Sequence, residues 1–104
     1  MKVITVGHKY ELSNFENKEA QGQVIQFIEK EPVAEGSTEL RTVNDGTTNE
    51  EVLVVLLDRL QALYAKFPSR ETALAITKLE EGLMWLNRRT QNRITRGVEG
   101  KATL

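Results

Sequence analysis

The chain has no cysteine and one histidine, His8. The first absence removes disulfides, thiolate nucleophiles and cysteine-bound zinc together. The second removes serine or cysteine triads and multi-histidine metal sites, so a hydrolase built on this chain would need carboxylates and a borrowed metal. Charge of one sign is also lacking: 14 Lys and Arg stand against 15 Asp and Glu, a formal net charge of -1. No global field of the kind that gathers duplex DNA exists, and any anion binding must come from local clustering. No apolar run approaches the roughly 20 residues that span a bilayer. The opening "MKVITVGHKYEL" lacks the apolar core and small-residue cleavage site of an export signal, which makes the cytoplasm the expected location. The glycines are scattered singly, so no glycine-rich phosphate loop is present.

What is present is the composition of one globular domain. At 104 residues, with 28% charged and 39% hydrophobic, the chain suits a single core. We expect one domain over 1–104, with a β-sheet half at 1–45, a helical hairpin at 46–98 and a tail at 99–104. The first half alternates with period two in "KVITV", "KYELSNF", "QVIQFIEK" and "ELRTV", separated by Gly7 with His8, by the polar stretch 17–22 and by Pro32 to Ser37. These segments predict an antiparallel meander of three or four short strands.

The second half changes period. Thr48 and Glu51 match a capping box, so a helix should begin near Asn49. Leu53, Leu56, Leu57, Leu60, Leu63, Tyr64 and Phe67 recur at steps of three and four until Pro68 forbids further helix. Ser69 occupies an N-cap position, Ile76, Leu79, Leu83 and Leu86 continue the rhythm, and Gly97 offers a C-cap. Two helices joined by about three residues form an antiparallel hairpin, and the fold class is α+β. Val52, Val54 and Val55 on the first helix, with Leu74, Met84 and Trp85 on the second, add apolar surface that a lone hairpin does not need. Monomers rarely leave such patches wet, so either the strand meander covers this one or other copies do; four short strands can cover only part of it, which predicts a homo-oligomer.

The sharpest local feature is basic: Arg88, Arg89, Arg93 and Arg96, with Lys101 beyond. Arg89, Arg93 and Arg96 share one helical face, and convergent guanidinium groups suit a pyrophosphate or cyclic phosphodiester. Cations at a helix C-terminus also complement its negative end, and that structural reading stands beside the first. A bound base would want an aromatic surface. Phe67 at the hairpin tip and Tyr10 on a strand are the candidates, whereas Trp85 suits a contact between helices. The run "NDGTTNEE" reads as a turn and helix cap, since the spaced ligands of a calcium loop are missing, and no metal site is expected. Glu80 and Glu81 diverge on a helix and cannot form a paired acid and base.

"NDGTTNEEVLVVLLDRL", "KFPSRETALAITKLEEGLMWL" and "RRTQNRITRGVEG" together resemble the helical hairpin shared by two families of phage anti-defence sponges, Thoeris anti-defence protein 1 and anti-CBASS protein 2. The resemblance runs from Asn44 to Gly100, and the strand-rich first half is similar to the Thoeris members. It implies a protein that is not an enzyme and needs no cofactor, one that sequesters immune cyclic nucleotides without cleaving them in the cytoplasm of the infected bacterial host. The ligands implied are glycocyclic ADP-ribose and CBASS cyclic di- and trinucleotides, held by dimers that assemble into hexamers, with no nucleic-acid polymer or membrane as partner. A cyclic nucleotide hydrolase and a structural oligomer that binds a protein partner are the alternatives.

By the same resemblance, Arg89 and Arg93 take phosphates and Arg41 reaches in from the last strand. Ala62 and Thr72 stand where relatives often carry an aromatic and an asparagine, which leaves Phe67 as the substitute stacking surface. A second, trinucleotide site is implied near Ala73 and Thr77.

Overall fold

A computed structural model describes all 104 residues as two compact units, Met1–Thr48 and Asn49–Leu104. The fold class is α+β, with antiparallel strands followed by a helical hairpin.

The first unit holds five strands: β1 (Lys2–Thr5), β2 (Lys9–Glu11), β3 (Val24–Gln26), β4 (Glu29–Pro32) and β5 (Leu40–Asn44). β1, β2 and β3 form one antiparallel sheet in that order, and β4 and β5 pair as a separate hairpin. Gly7 turns the chain between β1 and β2 at φ +80, a left-handed conformation that glycine adopts without Cβ strain, and the His8 N–H donates to Thr5 O at 3.0 Å. Tyr10 and Phe27 meet edge to face with ring centroids 6.1 Å apart, which places Tyr10 in packing.

The run "QVIQFIEK" is not the single strand its alternation suggests. It divides because the chain changes partner: the Phe27 N–H donates to His8 O at 2.7 Å, whereas that of Ile28 donates to Thr47 O at 2.9 Å. Gly46 makes the change possible. A Cβ there would lie 2.3 Å from the Gln26 carbonyl oxygen, so only glycine allows the two backbones this close.

The second unit is the hairpin of α1 (Asn49–Lys66) and α2 (Arg70–Thr95). Glu50 and Glu51 sit in the first turn of α1, where carboxylates favour the positive helix end. α2 starts at Ser69, whose Oγ accepts from the Thr72 N–H at 3.1 Å and donates to Thr72 Oγ1 at 2.8 Å. Its C-terminus is a Schellman motif: Gly97, at φ +73, donates to Ile94 O at 3.0 Å and Val98 to Arg93 O at 2.9 Å.

The seam between the helices uses Leu53, Leu57 and Leu60 from α1, with Ile76, Leu79, Leu83 and Leu86 from α2. Leu57, 6% exposed, is the one buried apolar side chain. The apolar surface outside the seam stays in solvent: Val54, Val55, Leu74, Met84 and Trp85 are all exposed. Val52 is half-buried. No helix is long and apolar enough to cross a membrane.

Candidate functional site

Helix periodicity sorts the arginines onto one face, and the main chain that follows them then sorts them again. Arg93 is 4% exposed, the one charged side chain that is buried. Its Nη1 donates to Thr103 O and Leu104 O, its Nη2 to Val98 O at 2.8 Å and Lys101 O at 2.7 Å, and its Nε faces Glu99 Oε2 at 3.4 Å. Of the five N–H donors of a guanidinium, the four on Nη1 and Nη2 are hydrogen-bonded, and Nε is ion-paired. Gly100 at φ +81 and the Lys101 N–H bond to Val98 O shape the turn that makes these carbonyls converge. Arg96 is held as well, through Nε to Asn92 Oδ1 at 2.9 Å and Nη2 to Leu104 O. Of the three arginines expected to converge, only exposed Arg89 has neither an ion pair nor a hydrogen bond. Arg88 lies over the Trp85 ring, 5.6 Å from its centroid.

Arg41 lies on β5 opposite Glu31, and its Nε donates to Glu31 Oε1 at 2.7 Å with Nη2 on the same oxygen. Phe67 follows the last turn of α1 and is 75% exposed, an open ring at the hairpin tip. Thr72 is half-buried in the cap of α2. Ala73 is half-buried, and exposed Thr77 donates its hydroxyl to Ala73 O at 3.2 Å, an ordinary helix-internal bond. No group of three or more His, Cys, Asp or Glu side chains is placed to hold a metal ion.

Ala62 lies in an open groove of about 390 Å³ along α1, lined by Val55, Asp58, Arg59, Ala62, Leu63 and Lys66. These positions follow steps of three and four, so they form one helical face, turned away from Leu53, Leu57 and Leu60. Arg59 and Lys66 fall outside the arginine cluster, and their seven-residue spacing around the small Ala62 is the one sequence signal of this groove.

One distance organises the candidates. Thr72 and Arg89 are 17 residues apart on the same helix, about 25 Å along its axis at 1.5 Å per residue. Ala62, Phe67 and Thr72 therefore occupy the tip end of the hairpin, and Arg89 and Arg93 the opposite end. A ligand the size of a cyclic dinucleotide cannot touch both sets on one hairpin.

Comparison with known proteins places this geometry. Residues 23–91 match the family model described as the Acb2/Tad1 hairpin domain. The chain belongs to the Acb2/Tad1 hairpin-domain family. It is also 53% identical over 57 residues to Thoeris anti-defense 1 of Bacillus phage SBSphiJ7, a match covering 54% of this chain and 40% of that phage protein. The chain thus spans well under half the length of this relative. The family match covers most of the two-helix unit and reaches back into the strands before it.

Proposed function

We propose that this chain is a phage anti-defence sponge, a homo-oligomer that captures an immune cyclic nucleotide, glycocyclic ADP-ribose or a CBASS cyclic di- or trinucleotide, and holds it without cleavage. The supporting observation is the 25 Å separation on a hairpin of this family. Phe67, Ala62 and Thr72 lie at one end and the unpaired Arg89 at the other, so they act on one ligand together only when the tip of one hairpin lies beside the base of a second copy. Pockets shared between antiparallel hairpins also cover apolar surface that the protomer leaves in water.

In such a pocket Arg89 takes a phosphate and Phe67 stacks on a base, with Ala62 and Thr72 shaping the space between. Arg93 enters this reading through position: it holds the turn after α2 in place, and contact with a ligand would require it to leave five acceptors. Arg41 reaches a phosphate only on leaving Glu31. The second site, at Ala73 and Thr77, calls for three copies meeting on α2. Nanomolar capture corresponds to about -12 kcal/mol, within reach of a closed pocket with several charge-assisted hydrogen bonds and one stacked ring.

The test is calorimetric titration with glycocyclic ADP-ribose and with cyclic triadenylate, followed by denaturation and recovery of the ligand. Tight binding with intact ligand released supports the sponge. Failure to bind either ligand overturns it, and recovery of a linearised product makes the protein an enzyme.

A further inference from the structure

We propose that the groove along α1 is a cation-lined cradle for the captured nucleotide, with Arg59 and Lys66 as phosphate-holding residues and Ala62 and Leu63 as the floor beneath a base. The proposal rests on the sponge reading and adds residues to it.

Four observations on the same helical face carry it. Arg59 and Lys66 both line the groove, and neither is engaged by an ion pair or a hydrogen bond. Every other residue lining the groove is apolar or small, apart from Asp58. The two cations are seven residues apart, about two helical turns or 10.5 Å along the axis, with Ala62 between them. Because Ala62 ends at Cβ, the long side chains on either side can lean over it toward one ligand. The floor of Val55, Ala62 and Leu63 is apolar, and Val55 is 64% exposed, so a flat ring laid there removes apolar surface from water.

The chemistry that fits is a small ligand with an aromatic ring and two negative groups. Guanidinium binds phosphate through a planar fork and ammonium binds it as a point charge, so the pair tolerates different phosphate geometries. Asp58, which lines the same groove, would repel a phosphate placed directly over it. It would instead accept from an exocyclic amino group or a ribose hydroxyl, which orients the ligand with its phosphates toward Arg59 and Lys66. The shallow groove holds a ligand firmly only when a second copy closes over it, which agrees with a site shared between hairpins.

The experiment measures affinity for glycocyclic ADP-ribose and cyclic triadenylate in the full chain, comparing wild type with Arg59→Glu, Lys66→Glu and Ala62→Trp. Lys30→Glu on β4 is the control for net charge, since it makes the same change of two units on the other compact unit. Arg59→Glu and Lys66→Glu should each weaken binding about tenfold or more, the effect of losing a charge-assisted hydrogen bond. Ala62→Trp should alter the preference between the two ligands by filling the groove. Lys30→Glu should change affinity less than twofold, and Arg59→Lys should keep most of it.

Melting temperature and native mass are read for every variant. Wild-type affinity in both charge reversals overturns the proposal while leaving the sponge reading intact, and so does a loss no greater than that of Lys30→Glu. A loss that tracks dissociation of the oligomer overturns it too, since the residues would then belong to the protein interface. Failure of the wild-type chain to bind either ligand overturns the sponge reading itself.

Discussion

Arg93 and Val98 grip each other twice: Arg93 Nη2 donates to Val98 O at 2.8 Å, and the Val98 N–H donates back to Arg93 O at 2.9 Å. The first bond comes from a side chain near the end of α2, the second from the backbone of its Schellman cap. A buried guanidinium thus becomes the polar core of the turn.

Replacing Arg93 by alanine should therefore unfasten residues 98–104. Hydrogen bonds from a charged donor contribute about 1.5–3 kcal/mol, and several are lost together while the freed carbonyls recover water, so we expect a net loss of about 2 kcal/mol in the hairpin unit. Urea denaturation measures the loss, and amide exchange should accelerate at Val98, Lys101 and Thr103, whose N–H groups are bonded in this turn. Arg93→Lys should fare little better, because an ammonium cannot reach four carbonyls in a plane. Unchanged stability in Arg93→Ala would return the guanidinium to the ligand.

The helices were legible and the hydrogen-bond partners of the arginines were not, for a physical reason. Periodicity, Pro68, Ser69 and Gly97 fix helix ends through local rules of capping and sterics, and the structure places all of them as those rules require. A helical wheel likewise puts Arg89, Arg93 and Arg96 on one face. It says nothing of which oxygens a long side chain will find, and here the acceptors come from a turn set up by Gly100. The strand half shows the same limit. Alternation in "QVIQFIEK" reports which side a residue faces but not which neighbour it pairs with, so the change of partner at Phe27 and Ile28, admitted by Gly46, left no trace in the pattern.

Glu31 offers a way to ask what Arg41 does. The pair is exposed on both sides, with side chains 65% and 45% accessible, and exposed ion pairs typically contribute about 0–1 kcal/mol. Glu31→Gln should therefore leave stability within that range. If Arg41 joins the ligand, the same substitution should tighten binding several-fold, because the guanidinium no longer has to abandon a carboxylate. Arg41→Ala should then weaken binding by a larger factor. Equal affinities in all three chains, measured by titration, would make the pair a surface feature of β4 and β5 only.

Trp85 and Gly82 test the proposed self-association from opposite directions. Trp85 is 60% exposed on the outer face of α2, beside Met84, and no atom lies within 4 Å of where a Cβ on Gly82 would stand. Covering what remains of the indole gains on the order of 3 kcal/mol per copy at 25 cal/mol per Å². If copies of the chain pack on this face, Trp85→Glu should therefore weaken their association by a hundredfold or more, with the helix content of each chain retained. Gly82→Ala has the opposite effect inside one chain. With open space above it and a helix interior around it, alanine should stabilise α2 by about 0.8–1 kcal/mol. If copies approach closely at Gly82, the added methyl should also loosen the oligomer even as the protomer gains stability. Sedimentation and thermal melting on the same samples separate the two effects. Stabilisation with an unchanged mass would locate the contact elsewhere on the hairpin, whereas an unchanged mass in Trp85→Glu would remove the outer face of α2 from the interface.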